Sequence, residues 1–173
     1  MHGAPTRSGS ESLQALIAPR SIAVLGASDR PSGALSLIRS LQRLGFAGQI
    51  HPVNPRHASV AGLTCYPTIA DVPDAPDVVA CCIGGERIVA ALPAVAARGA
   101  RAAVIYDGGF AERGEDGRRA QDSIAGICRQ AGMALCGPNG MGILNPLARS
   151  TTYLSELRDP TRADAGAHEP AAS

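Results

Sequence analysis

The chain lacks lysine and tryptophan, and it has few aromatic residues of any kind. All 16 basic residues are arginine, so no lysine is available as a nucleophile or a general base. Aromatic residues make up only 3% of the sequence, which excludes a stacking platform for single-stranded nucleic acid. The formal net charge of +1 argues against an electrostatic footprint for nucleic acid or for an anionic membrane surface. We therefore expect no nucleic-acid partner and no membrane partner.

The sequence also has no apolar run of the length that a membrane span requires. The segment from Met1 to Gln14 is polar and holds no apolar stretch of signal-peptide length, so we expect a cytoplasmic protein. The five cysteines include no C-x-x-C pair. They are expected to be buried thiols in a reducing compartment, with no metal site and no disulfide framework.

Short apolar runs alternate with segments of helical periodicity along most of the chain. Strands are predicted at 21–26, 49–53, 63–66, 77–83, 102–106 and 133–136, and helices at 33–44, 86–97 and 117–131. The strands are continuously apolar, as strands buried on both faces are. The sequence thus predicts an α/β fold of Rossmann type, a doubly wound, mainly parallel sheet with helices on both faces. This domain is placed at 13–147, after a flexible N-terminus at 1–12 and before a disordered tail at 148–173.

The turn after the first strand is rich in small and polar residues. It runs Gly26-Ala27-Ser28-Asp29-Arg30-Pro31-Ser32-Gly33 and leads into a helix. Backbone N–H groups there, together with the positive end of the helix dipole, favour an anionic phosphate. The dinucleotide fingerprint G-x-G-x-x-G is absent, because Ser28 stands at its third position. The turn favours a phosphate-bearing ligand over NAD in particular, and an ordinary capped turn is the alternative.

The end of the second strand discriminates better between ligands. NAD-binding domains usually place an acidic residue there to bind the ribose 2′-hydroxyl. This chain has Asn54-Pro55-Arg56 instead, and an arginine can pair with a phosphorylated ribose through two parallel hydrogen bonds. The pattern favours coenzyme A (CoA), with its ribose 3′-phosphate, or NADP. A solvated surface arginine is the other reading.

Several short motifs follow one another in order between residues 13 and 146. They are LIAPRSIAVLGAS at 16–28, PVNPR at 52–56, GLTCYP at 62–67, DVV at 77–79, AVI at 103–105 followed by Gly109-Phe110, and GPNGMG at 137–142. With these motifs in this order, the chain resembles the CoA-binding domain of NDP-forming acyl-CoA synthetases. That family includes ADP-forming acetate–CoA ligase and the α subunit of succinyl-CoA synthetase.

The resemblance implies that CoA or an acyl-CoA binds where the central strands end. Transferred by position, the expected contacts are Ser28, Asp29, Arg30 and Ser32 at the ADP phosphates, Arg56 at the ribose phosphate, Ile83 and Gly84 beside the adenine or pantetheine, Tyr106 and Asp107 along the pantetheine arm, and Gly137, Pro138 and Asn139 near the thiol. Gly26 in the first turn and Asn54 after the second strand are expected to bind CoA as well. Two positions depart from the family pattern. Family members commonly have a small pair where Tyr106 and Asp107 stand, and a cysteine where Gly140 stands.

The resemblance also implies what this chain does not do alone. The family's phosphorylated histidine and its ATP-grasp portion have no counterpart here, so no catalytic residue is expected and a separate subunit carrying those parts is the expected partner. Spacing supports no Ser/His/Asp or Cys/His pairing. Two alternatives stay open: an NAD(P)-binding domain of oxidoreductase type, and a regulatory domain that senses CoA or a nucleotide.

Overall fold

The computed structural model describes residues 9–157. Its helices are α1 (Gly9–Ile17), α2 (Gly33–Leu44), α3 (Glu86–Ala97) and α4 (Glu115–Gln130). Its strands are β1 (Ser21–Leu25), β2 (Gln49–Val53), β3 (Ser59–Val60), β4 (Leu63–Thr64), β5 (Val78–Cys81), β6 (Ala102–Ile105), β7 (Ala134–Cys136), β8 (Leu144–Asn145) and β9 (Ser150–Thr151). Short 3-10 helices occur at Ile69–Asp71 and Ala111–Arg113. Within the described residues, no helix has both the length and the apolar character needed to cross a bilayer.

Five strands form the central sheet in the order β2-β1-β5-β6-β7, and every neighbouring pair is parallel. All residues of β5 and β6 are buried, because other elements cover both faces of these strands. The strands β3 and β4 form a small antiparallel hairpin outside the sheet, and β8 and β9 form another. This is the predicted doubly wound α/β fold, and the fold prediction is confirmed.

The sheet separates two apolar cores, and β1 contributes to both. Ala23 and Leu25 belong to the core under α3 and α4, whereas Ile22 and Val24 belong to the core under α1 and α2. Side chains alternate in this way because successive residues of a strand point to opposite faces. Pro93 lies inside α3 on its exposed side, where the helix continues past it.

The two ends of the described chain differ from the sequence prediction. The helix α1 begins inside the segment predicted to be flexible, and the buried Ser12 donates its hydroxyl to the Gly132 carbonyl at 2.6 Å. Residues 148–157, predicted to be disordered, include β9 and three buried residues, Ser150, Thr151 and Thr152. Hydroxyls that find backbone partners far along the chain can be buried at little cost, which composition does not reveal. Residues 1–8 and 158–173 of those two predictions lie outside the described part.

Candidate functional site

The winding of the sheet reverses at β1. The chain passes from β1 to β2 on one side of β1 and then to β5 on its other side, which opens a crevice at the carboxyl ends of β1 and β5. A cleft of about 400 Å³ lies there. It brings together these residues that the sequence placed at the ligand: Gly26, Ser28, Ser32, Ile83, Gly84, Tyr106 and Asp107. The sequence did not single out the rest of its lining, which is Gly33, Ala34, Cys81, Cys82 and Leu154.

Gly26 allows the first turn to pass close over the end of β5. Its φ of +80° lies in the left-handed region. A Cβ atom at this position would lie 2.6 Å from the carbonyl oxygen of Cys82 and 2.7 Å from Cγ2 of Ile83. Both the backbone conformation and the close approach therefore require glycine here.

The first turn of α2 presents backbone to the cleft. Ser32 is the N-cap of this helix, and its Oγ accepts a hydrogen bond from the Leu35 N–H at 3.3 Å. The next two residues, Gly33 and Ala34, line the cleft and add little side-chain bulk. The first N–H groups of a helix have no intrahelical partner and carry partial positive charge. This end of the cleft is therefore suited to an anion such as a phosphate.

Asp29 and Asn54 shape the first turn, and neither lines the cleft. The Asp29 carboxylate accepts the Ala61 N–H at 2.8 Å, at the β3–β4 hairpin. Asn54 donates through Nδ2 to the Ala27 carbonyl at 2.8 Å and accepts the Arg56 N–H at 3.0 Å. These polar groups hold the loops that position the turn. That the two residues also contact the ligand stays a prediction.

Two exposed arginines lie in loops next to the cleft. Arg30 lies in the first turn, and Arg56 follows β2, which is the neighbour of β1 in the sheet. Neither side chain lines the cleft itself. A ligand that extends from the cleft across the end of β2 would meet the positive charge of Arg56 there.

Asp107 occupies the N-terminus of α3. Its Oδ2 accepts the N–H of Gly85, the N-cap residue of that helix, at 2.5 Å. A carboxylate is favourable at the positive end of a helix dipole. Because the chain's own carboxylate takes this place, α2 is the helix whose N-terminus is available to a ligand anion in the cleft.

Tyr106 and Cys82 are both protonated groups at neutral pH. Burial raises the pKa of the Tyr106 phenol far above its usual range, and this hydroxyl donates to the Thr152 carbonyl at 2.5 Å. Burial also raises the pKa of the Cys82 thiol to about 12. A thiol held in its neutral form is a poor nucleophile, so both groups suit binding better than covalent chemistry. The described residues contain no cluster of side chains that could hold a metal ion.

The turn at 137–140 lies one strand beyond the cleft, at the end of β7. The N–H of Asn139 donates to the Asp107 carbonyl at 3.0 Å, and the N–H of Gly140 donates to the Ile105 carbonyl at 3.1 Å. Gly137 and Pro138 begin this turn, and a Cβ on Gly137 would lie 2.2 Å from the Ile105 oxygen. The turn is therefore fixed against the end of β6, beside the cleft and outside its lining.

A family model described as a CoA binding domain matches residues 20–146. This chain belongs to that family. The match spans every strand of the central sheet and the turns that follow β1 and β5, where the crevice opens. The CoA-binding function and the family predicted from the sequence are confirmed, and CoA is favoured over a nicotinamide dinucleotide.

The CoA-binding domain is similar to parts of longer proteins. It is 37% identical over 145 residues to a trans-feruloyl-CoA synthase of an unknown prokaryotic organism, covering 83% of this chain and 20% of that protein. It is 28% identical over 148 residues to the α subunit of ADP-forming acetate–CoA ligase I of Pyrococcus furiosus, covering 82% and 32%. A solved structure of dinucleotide-forming acetyl-CoA synthetase 1 of Ca. Korarchaeum cryptofilum, in complex with phosphate and ADP, superposes with a TM-score of 0.78 at 31% identity, covering 83% of this chain and 31% of that one. The chain thus spans a fifth to a third of the length of these relatives.

Leu154 is the lining residue that sequence reasoning missed most clearly, because it lies in the segment predicted to be disordered. In the CoA-binding domain it is partly buried and packs on the core beneath α2. The run from Thr151 to Leu154 is β-branched and apolar, which was a local signal for order. Nothing in that run shows that it folds back across a helix more than a hundred residues earlier in the chain.

Proposed function

We propose that CoA lies across the carboxyl ends of β2, β1, β5 and β6, with its pyrophosphate at the N-terminus of α2. The family match supports CoA as the ligand, and the crevice at the reversal of the sheet supports the place. The observation that carries the proposal is that one cleft joins the first turn to the ends of β5 and β6. A long, linear ligand can follow this path without a change in the fold.

The pyrophosphate is assigned to α2 because of charge and space. The first turn and the residues Gly33 and Ala34 expose backbone to the cleft. Gly26 has no side chain, so the turn lies close to Cys82 and Ile83. The N-terminus of α3 already holds the Asp107 carboxylate, which repels a second anion. Ser28 lines the cleft in the middle of the first turn, where its hydroxyl is placed to donate to a phosphate oxygen.

The adenosine end is assigned to the side of β2. Arg56 follows that strand and is exposed, and Arg30 is exposed in the first turn. A guanidinium pairs with a phosphate through parallel hydrogen bonds, so Arg56 is proposed to bind the ribose 3′-phosphate. Asp29 and Asn54 hold the two loops that carry these arginines.

The pantetheine arm is assigned to the ends of β5 and β6. Ile83 and Gly84 continue β5, and Tyr106 and Asp107 continue β6, and all four line the same cleft. The arm has two amides and a dimethyl group, which match a lining of mixed apolar and polar groups. The thiol would then approach the Gly137-Pro138-Asn139 turn at the end of β7, the next strand in the sheet.

In this proposal the domain presents CoA to the catalytic parts of an NDP-forming acyl-CoA synthetase. Those parts, a phosphohistidine segment and an ATP-grasp domain, would come from a separate subunit or another portion of a longer protein. The relative from Pyrococcus furiosus carries the name of an α subunit, which supports an assembly of this kind. The same geometry would also serve a domain that senses CoA, and the presence of a catalytic partner decides between the two.

The test is a calorimetric titration of the chain with CoA, NADH and NADPH. We expect CoA to bind more tightly than either dinucleotide, because the end of β2 carries Asn54 and Arg56 where dinucleotide-binding domains usually place a carboxylate for the ribose 2′-hydroxyl. A Ser28→Trp variant should no longer bind CoA, because the indole fills the cleft. Ser123→Trp is the matched control, because Ser123 is exposed on α4. Tighter binding of a dinucleotide, or full CoA binding by Ser28→Trp, would contradict the proposal.

A further inference from the structure

The chain returns to the cleft after the β8–β9 hairpin, in a segment that we call the strap, residues 152–157. Hydrogen bonds and an ion pair hold the strap on the domain. Thr152 exchanges two hydrogen bonds with Ile143, at 2.7 and 2.8 Å, and its carbonyl accepts the Tyr106 hydroxyl at 2.5 Å. At the other end, the N–H of Leu157 donates to Oγ of Ser40 at 3.0 Å, and Glu156 forms an ion pair with Arg43 of α2.

Leu154, in the middle of the strap, lies directly on the first residue of α2. A Cβ atom placed on Gly33 would be 3.0 Å from Cδ1 of Leu154 and 3.1 Å from its Cβ. The absence of a side chain at Gly33 therefore leaves the space that Leu154 fills. Leu154 and Ile83 are the two large aliphatic side chains in the lining of the cleft.

The position of Leu154 selects one part of the ligand. Two groups flank the pyrophosphate in CoA: a hydroxylated ribose on one side, and on the other the pantoate unit, whose quaternary carbon bears two methyl groups. The strap is bonded to Tyr106, which follows β6, so Leu154 lies at the N-terminus of α2 on the side of β6, toward the pantetheine half. An aliphatic side chain gains from contact with methyl groups and offers nothing to ribose hydroxyls.

We infer that Leu154 binds the dimethyl group of the CoA pantoate and that the strap is a wall of the pantetheine site. The inference deepens the proposed function and rests on it. Leu154 contributes to the affinity for the pantetheine half of the ligand. The first turn and the two arginines bind the nucleotide half. The strap thus extends the site beyond residues 20–146, where the family match ends.

The test compares two ligands, CoA and 3′-phosphoadenosine 5′-diphosphate, which is CoA without its pantetheine arm. Calorimetry on Leu154→Ala should show CoA binding weakened by about tenfold, the size expected for loss of one apolar contact of this kind. Binding of the nucleotide alone should stay within about twofold of the unchanged chain. Leu154→Met should restore most of the CoA affinity, because methionine supplies a flexible apolar side chain of similar volume.

Leu147→Ala is the matched control, since Leu147 belongs to the same C-terminal region and is 98% exposed. It should bind both ligands as the unchanged chain does. An equal loss for CoA and the nucleotide in Leu154→Ala would overturn the inference, because Leu154 would then act through the phosphate turn or through folding. Unchanged CoA binding in Leu154→Ala would overturn it as well. Failure of the unchanged chain to bind CoA would instead refute the proposed function itself.

Discussion

Removal of the Arg56 guanidinium should weaken CoA much more than dephospho-CoA, which lacks the ribose 3′-phosphate. A hydrogen bond to a charged group contributes about 1.5–3 kcal/mol. Arg56 is exposed, and solvent screening reduces the strength of charge pairs at the surface. We therefore expect Arg56→Ala to cost CoA about 1–1.4 kcal/mol, which is a five- to tenfold weaker affinity.

The assay is a four-way calorimetric cycle of the unchanged chain and Arg56→Ala with CoA and dephospho-CoA. Arg129→Ala is the matched control, because Arg129 is an exposed arginine in the last turn of α4. Helices that follow parallel strands run back toward the amino edge of the sheet, so Arg129 lies away from the cleft. The extra loss of affinity for CoA over dephospho-CoA in Arg56→Ala should become smaller as salt is added. Equal losses for the two ligands would refute the assignment of Arg56 to the 3′-phosphate.

Three further outcomes are expected. Gly26→Ala should lower the free energy of unfolding by about 2–5 kcal/mol in denaturant titrations, because left-handed backbone strain and overpacking add together. Gly62→Ala is the control, since Gly62 has a φ of +78° but a Cβ there would meet nothing within 4 Å, so this variant should show the strain alone. Equal losses of stability in the two variants would contradict the steric account of Gly26. The free energy of unfolding should fall as pH drops below about 6.5, because burial lowers the pKa of His51 in the folded state and the unfolded chain then binds more protons. His51→Phe should flatten that slope, and an unchanged slope would assign it to other groups. The chain should take up no label from γ-phosphate-labelled ATP, since His51 is buried and residues 9–157 offer its Nε2 no hydrogen-bond partner to activate it; acid-labile labelling lost in His51→Ala or His57→Ala would contradict this.

Local pattern was enough to predict the sheet and the helices next to the cleft. The bounds of α2 and β2 agree with the prediction, because apolar periodicity and terminal signals coincide there. The helix α1 and the strap differ from the flexible N-terminus and the disordered tail that the sequence predicts, and the reason is a different one. Ser12 and Thr152 look like loop residues locally, yet each is satisfied by partners that are distant in sequence or across a hairpin.

The candidate site was predictable in position and less so in the role of each polar residue. The strand ends and the first turn follow from the order of the elements, so Ser28 and Gly84 were placed at the ligand and do line the cleft. Asp29 and Asn54 are polar residues of the same loops, and the structure shows that each also bonds a backbone group of a neighbouring loop. Which backbone group such a side chain satisfies depends on the loop packed beside it, and a linear sequence does not show that loop.

The central claim, that CoA lies in the cleft between the first turn and the ends of β5 and β6, is tested most directly by amide NMR of the isotope-labelled chain during titration with CoA. The account predicts the largest changes in amide chemical shift at five residues that line the cleft: Gly26, Ser28, Gly33, Ile83 and Gly84. The groove between α3 and α4, lined by Val89 and Ala120 among others, should change little. Shift changes centred on that groove, with the first turn unaffected, would contradict the account.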